Sequence, residues 1–361
     1  MRLTIVAGAR PNFIKIAPII HAIQKLAEPT ITNRLVHTGQ HYDQKMSDTF
    51  FKELNIPAPD INLECGGGSQ AQQTAAFMVA FEKELLANPT DLVVVVGDVT
   101  STMACSIVAK KMNTKVAHVE AGIRSFDLSM PEEINRMVTD SITDYFFTTS
   151  EGANANLRKA GIESERIFFV GNVMIDTLMA TRNLFKRPSL FNELVLEKGN
   201  YFVLTLHRPA NVDETAQLKK LMQKIITNTR GLPIIFPIHP RTAKIFSDIG
   251  MVAPALKIVE PMGYLEFNYL VENAKAVITD SGGITEETTV MGVPCLTLRN
   301  NTERPETCTI GTNELIGTDP ENIKPALDRL FSGEWKKGGI PEKWDGHAAE
   351  RIVNCLIELY G

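Results

Sequence analysis

The sequence predicts an α/β chain of two doubly wound parallel-sheet domains facing each other across a cleft. Three observations carry that prediction. Short apolar runs alternate with amphipathic stretches up to about residue 170, and the alternation restarts near residue 201. Alternation of that kind yields parallel sheets covered on both faces. The length, 361 residues, suits two domains of roughly 150 residues better than one core.

The elements follow in order. Residues 3–8 read as a buried strand. Pro11 stands in the first turn of a helix whose face is made by Ile14, Ile16, Ile19, Ile20 and Ile23. Strands at 34–37, 92–96, 115–119, 145–148 and 166–170 complete the first set, with helices at 70–87, 101–111 and 131–143. The second set has strands at 201–206, 233–236, 276–279 and 294–298, and helices at 214–228, 264–273 and 283–291. Residues 183–200 read as the interdomain connection. The last helix, 347–360, fits either domain. Ligands in such sheets bind outside the carboxyl ends of the strands. Polar residues just after apolar strands are therefore the candidates.

Composition narrows the function classes. Apolar residues make up 44% of the chain, which excludes a disordered or collagen-like protein. The net charge of −5 argues against a dedicated nucleic-acid partner. Apolar runs such as Leu92 to Val96 fall far short of the ~18 residues of a membrane span. The N-terminal apolar run stops at Arg10 and Pro11, too soon for a signal peptide. Five scattered cysteines with no CxxC pair read as reduced thiols of a cytoplasmic protein, without the spacing of a zinc site.

Five groups of residues could carry chemistry. Gly8 to Asn12, with Lys15, forms a strand–turn–helix that suits an anion, to which Arg10 adds a cation. No GxGxxG or P-loop pattern is present. Asp98 follows Gly97 after four valines, as a cleft acid or a helix cap. His118, Glu120 and Arg124 sit at the next strand end, where Glu120 and Arg124 could also simply pair. Glu132 and Glu133 open a helix that also carries Arg136. Adjacent helical residues diverge by about 100°, so only one of the two acids can face the cleft fully. The fifth group lies in the second half: His207 and Arg208, His239 and Arg241, then Ser281, Gly282 and Gly283 opening a helix that carries Glu287, and Arg304 beyond. The Ser-Gly-Gly turn is a phosphate cradle, and Glu287 could accept from two vicinal hydroxyls of a ribose. Together the second half reads as a diphosphate site, and the carboxylates of the first half as the reacting end.

With these motifs in place, the chain resembles the non-hydrolysing UDP-N-acetylglucosamine 2-epimerases over nearly its whole length. The resemblance rests on Ala9-Arg10-Pro11 with Lys15, on Gly97-Asp98, and on the run from His118 to Arg124. It rests also on Pro131 to Arg136, Thr279 to Ile284 and Asn301 to Pro305. It implies two Rossmann-like domains of GT-B type and conversion of UDP-GlcNAc to UDP-ManNAc, a surface-polysaccharide precursor, without NAD or metal. Asp98, Glu120, Glu132 and His207 become the catalytic candidates. Arg10, Lys15, Arg124, Arg136, His239, Ser281, Gly282, Gly283, Glu287 and Arg304 become the substrate-binding ones. The implied domains are 1–172 with 346–361, holding the acids, and 173–345, holding UDP. A homodimer without nucleic-acid or membrane partners is implied as well.

The chemistry explains why several acids are needed. No carbonyl adjoins C2, so enolisation is closed. Elimination of UDP across C1–C2 gives 2-acetamidoglucal, and re-addition with a proton from the other face inverts C2. That requires an acid and a base on opposite faces, expected to be Asp98 and Glu132, with Glu120 positioning the sugar or sharing the proton. It requires cations on the departing phosphate, expected to be Arg10 and His207. Some positions depart from the family pattern: Ala9, Asn12, and Arg208 to Asn211 after His207. Gln40 to Asp43 keeps only part of the segment that binds a second UDP-GlcNAc in activated members, and residues 65–69 supply no Arg. The same allosteric activation is therefore not expected. The alternatives are an epimerase of a related UDP-diacetamido sugar and a retaining GT-B glycosyltransferase.

Overall fold

The computed structural model describes residues 1–27, 30–40, 50–212, 214–238, 246, 250 and 253–360. The chain divides into two compact units, Met1–Ala180 with Glu342–Gly361, and Thr181–Pro341.

The first unit holds seven strands: β1 (Arg2–Ala7), β2 (Thr32–His37), β3 (Ile61–Asn62), β4 (Leu92–Val96), β5 (Lys115–Val119), β6 (Tyr145–Thr148) and β7 (Ile167–Phe169). They lie in the order β3-β2-β1-β4-β5-β6-β7, every pair parallel. The helices are α1 (Arg10–Gln24), α2 (Gln70–Ala87), α3 (Thr100–Lys111), α4 (Pro131–Ile142), α5 (Glu151–Lys159) and α6 (Val173–Thr181). All five residues of β4 are buried, as a central strand covered on both faces requires.

The second unit holds β8 (Phe202–Thr205), β9 (Ile234–Pro237), β10 (Leu256–Val259), β11 (Ala276–Thr279), β12 (Cys295–Thr297) and β13 (Asn313–Leu315), in the order β10-β9-β8-β11-β12-β13. Its longer helices are α7 (Thr215–Asn228), α8 (Tyr264–Asn273), α9 (Gly282–Met291) and α10 (Ile323–Ser332). The strand period of two sorts its core into two layers. Phe202, Leu204, Phe236, Ile278 and Leu296 pack on one face. Tyr201, Val203, Ile235, Val277 and Cys295 pack on the other.

Two expectations are corrected here. The first unit runs on through α6 instead of ending at 172. Val173, Ile175 and Leu178 are buried, and the Thr177 hydroxyl donates to the Ile14 carbonyl at 2.6 Å. The segment 183–200 is not a bare connection but part of the second unit. Phe191 and Leu196 enter its core, and the Phe191 ring meets Tyr201 and Tyr269 edge-on.

The last helix, α11 (Ala348–Tyr360), belongs to the first unit and packs on α1. Asp176 accepts from its first two backbone N–H groups, Ala348 at 3.1 Å and Ala349 at 2.7 Å. Such N–H groups have no partner inside a helix and need one from outside. Trp344, just before α11, is fully buried and donates to the Thr149 carbonyl at 3.0 Å.

Candidate active site

In the first unit the carboxyl ends of β1, β4 and β5 gather the predicted groups. Arg10 opens α1. Asn12, at its third position, turns back so that its Oδ1 accepts from Gly8 N at 3.2 Å and Ala9 N at 2.9 Å. The asparagine thus fills part of the anion-binding turn that the sequence suggested. Lys15, one turn further, ion-pairs with Glu120 out of water. Gly97 follows β4 with φ +68°, and a side chain there would come within 3.0 Å of Lys15 Nζ and 3.7 Å of Glu120 Oε2. Glycine takes that conformation without strain and leaves Lys15 its place beside Glu120. Glu120 itself leaves β5 at φ +72°, a strained region for a residue with a Cβ. Backbone bonds from Glu120 N and Ala121 N to the Phe147 carbonyl hold that turn.

Asp98 is partly exposed. Its carboxylate accepts from Arg136 Nη2 at 2.6 Å and Nε at 3.1 Å, and its carbonyl accepts from Asn135 Nδ2 at 2.8 Å. The helical offset separates the two adjacent acids of α4 as expected. Glu133 is buried, accepting from Ser125 N at 3.0 Å and from Arg136 Nη1 at 2.7 Å. Glu132 is half-exposed and has no hydrogen-bond or ion-pair partner among the described residues.

Arg124 does not pair with Glu120. Its Nη2 meets Asp140 Oδ2 at 2.6 Å, and Asp140 Oδ1 lies 2.7 Å from Nδ1 of the buried His118. Burial pushes the Asp140 carboxyl up, but its bonds and charge pairing with His118 and Arg124 outweigh that and leave it below the usual range. Arg124 and Arg136, expected as substrate cations, are thus both held by carboxylates of their own unit. Arg136 is 1% exposed, so here it orients Asp98 and offers no open guanidinium.

In the second unit the ends of β8 and β11 do the equivalent work. Asp280 is fully buried and accepts from His207 N at 3.1 Å, Arg208 N at 2.9 Å and Asn211 Nδ2 at 3.0 Å. It also meets His207 Nδ1 at 2.8 Å. Burial raises the Asp280 carboxyl, and the His207 and backbone contacts more than reverse it. Asp280 thereby sets the ring of His207, whose side chain is 59% exposed.

Ser281 is the N-cap of α9, yet its hydroxyl caps nothing and has no partner among the described residues. The first N–H groups of α9 and this hydroxyl form an open cradle for an anion. Gly282 lets the helix start lie against its neighbours: a Cβ would fall 2.7 Å from Glu303 Oε1 and 3.1 Å from Arg304 Nη1. Arg304 is buried against Glu286 at 2.6 Å and Glu303 at 2.8 Å, so it too is an internal partner and not an open cation. Glu287 is enclosed, accepts from the Tyr264 hydroxyl at 2.8 Å, and is pushed up to about 7 by burial. His239 and Arg241 lie outside the described residues. Among the described residues no group of three His, Cys, Asp or Glu is placed to hold a metal ion, and no helix is long and apolar enough to cross a membrane.

With the geometry in place, comparison with known proteins decides the family. The UDP-N-acetylglucosamine 2-epimerase family model matches residues 24–357. The chain belongs to the UDP-N-acetylglucosamine 2-epimerase family. It is 42% identical to the UDP-N-acetylglucosamine 2-epimerase of Methanocaldococcus jannaschii, covering 99% of both chains. The crystal structure of that organism's enzyme in complex with UDP-GlcNAc and UDP superposes with a TM-score of 0.91, over 99% of this chain and 100% of that one. The UDP-2,3-diacetamido-2,3-dideoxy-D-glucuronate 2-epimerase of Pseudomonas aeruginosa is 35% identical, over 99% of this chain and 100% of that one.

Within this family member, sequence reasoning passed over four polar residues that organise the site. Asp280 carried a usable signal, since it follows an apolar strand as Asp98 does. Asn12 and Asn135 carried only a weak one, inside motifs already under scrutiny. Asp140 carried none, because its partner His118 lies 22 residues away on another element.

Proposed function

We propose that the chain interconverts UDP-GlcNAc and UDP-ManNAc by C2 epimerisation. The first unit acts on the sugar and the second holds the nucleotide. A carboxylate takes the C2 proton while the C1–O bond breaks and UDP departs with its electron pair, leaving 2-acetamidoglucal. UDP then re-adds at C1 and a second acid protonates C2 from the other face. Asp98 and Glu132 are the proton-transfer pair, Glu120 orients the sugar with Lys15, and His207 with Arg10 meets the departing diphosphate. Ser281, Gly282 and Gly283 cradle a phosphate.

One observation supports this reading over a transferase. The three candidate carboxylates, Asp98, Glu120 and Glu132, belong to a single unit, and Arg136 ties Asp98 to the helix that carries Glu132 in its first turn. A retaining transferase has no use for several acids near C2. The test is proton NMR of the purified protein with UDP-GlcNAc in D2O. Deuterium should enter C2 as UDP-ManNAc signals appear. Free ManNAc with UDP would mean a hydrolysing enzyme, and no exchange would overturn the reading. The 35% identity to the diacetamido-glucuronate enzyme makes that sugar the second substrate to try.

The chain works in the cytoplasm as a homodimer on this reading. Support for the dimer comes from Phe126, Leu128, Ile134 and Met137, large apolar residues exposed on α4 and the loop before it. Of these, Ile134 also lines an apolar groove of about 590 Å³, together with Ala71, Met78 and Met103. Analytical ultracentrifugation should return twice the 39.9 kDa chain mass.

A further inference from the structure

His118 lies on β5, two residues before Glu120, and is completely buried. Its Nε2 is 2.8 Å from the Gly97 carbonyl oxygen and its Nδ1 is 2.7 Å from Asp140 Oδ1. A carbonyl oxygen can only accept. The Asp140 carboxylate also accepts, its other oxygen taking Gly122 N at 3.1 Å and Arg124 Nη2 at 2.6 Å. Both ring nitrogens therefore donate. One rigid ring thus joins β5, α4 and the turn after β4.

The turn matters because the Gly97 carbonyl belongs to the peptide that leads into Asp98. Gly97 is left-handed and has no side chain of its own to hold it. On the far side of Asp98, Asn135 holds the carbonyl and Arg136 the carboxylate. Both come from α4, and His118 is itself anchored on α4 through Asp140. These three ties on the Asp98 turn thus trace back to α4, the helix that carries Glu132 as its second residue.

We propose that His118 is a positioning residue for the epimerisation: it locks the Gly97–Asp98 peptide to α4 and so fixes Asp98 relative to Glu132. This rests on the epimerase reading of the site. His118 need not touch the sugar. It acts through the placement of a carboxylate that does.

Two amides separate positioning from mere core filling. Asparagine can replace the Nδ1 donor alone, and glutamine the Nε2 donor alone. If His118 only supplies buried Asp140 with a hydrogen-bond donor, His118→Asn is the better substitute. If it positions Asp98, His118→Gln is better, because it keeps the bond to Gly97.

The experiment measures kcat and KM for UDP-GlcNAc and calorimetric UDP affinity for the full-length wild type, H118N and H118Q. H118N should lose about 100-fold in kcat, the scale of a misplacement of roughly 1 Å. Its KM and UDP affinity should stay within ~3-fold of wild type, since uniform binding is untouched. H118Q should keep at least ~10-fold more kcat than H118N, the worth of one buried hydrogen bond. H118N equal to or better than H118Q overturns the proposal, as does a loss confined to KM or UDP affinity. A wild type that turns over while the variants fall in the wrong order overturns positioning alone. A wild type that neither turns over nor exchanges C2 hydrogen overturns the epimerase reading. Nitrogen-15 NMR of histidine-labelled wild type needs no variant to fold. Both His118 ring nitrogens should carry protons, and a bare Nε2 overturns the bond to Gly97 and the proposal with it.

Discussion

Both units run the same outward strand order from a central pair, β1 with β4 in one and β8 with β11 in the other. Both place their polar residues just past those strands. They differ in how charge is held there. The first unit packs carboxylates against its own cations: Glu120 on Lys15, Asp98 and Glu133 on Arg136, Asp140 on His118 and Arg124. Glu132 stands out of that network, with no partner for its carboxylate among the described residues. The second unit also pairs its buried carboxylates, Asp280 with His207 and Glu286 and Glu303 with Arg304, but it leaves a helix start open at Ser281 and encloses Glu287, whose carboxyl burial pushes up to about 7. Topology decides where a site can form, and the side chains decide what it can do. A ring of paired charge suits proton transfer by acids of fixed position. An open helix N-terminus suits a phosphate.

That contrast can be broken most severely at Lys15. Replacing it by Met removes the buried ammonium that faces the Glu120 carboxylate. The expected cost is about 3–5 kcal/mol of stability, read by urea unfolding. An unchanged urea midpoint would show that the pair does not hold the first unit together.

The second unit should answer to pH. Burial lifts Glu287 from its ordinary 4.5 to about 7. Between those values the folded chain keeps a proton that the unfolded chain has lost. The stability linked to it is fully present below pH 4.5 and lost as pH rises through about 7. The total is about 3 kcal/mol. Glu287→Gln should flatten the wild-type stability profile by that amount between pH 4.5 and 8. Parallel profiles would remove Glu287 as the source.

Next in size is a rate effect confined to the first unit. Asp98→Asn and Glu132→Gln should each lower kcat at least ~100-fold while leaving UDP affinity intact. Near-normal turnover by either variant takes that residue out of the proton-transfer pair. The smallest expected effect lies in the second unit. Ser281→Ala should weaken UDP binding by ~5-fold, the worth of one exposed-site hydrogen bond, as read by calorimetry.

The long, periodic elements were legible in the chain itself. The strands at 92–96, 115–119, 145–148 and 276–279 and the helices at 70–87 and 264–273 stand where the apolar pattern put them. Short edge strands such as β3, with two residues, carry too little pattern to be read. The helix α10 was readable from Ile323, Ala326, Leu327 and Leu330 at helical spacing but was passed over.

The sequence by itself determined the alternation of strands and helices, the positions of polar residues at strand ends, and the family, because these are local or are fixed by motif. Only the tertiary structure decided who pairs with whom. Arg124, Arg136 and Arg304 look like open cations in a string of letters. Folding places Asp140, Asp98 and Glu286 beside them. A charge moved out of water takes the partner that the fold brings within reach, and that partner can lie anywhere along the chain.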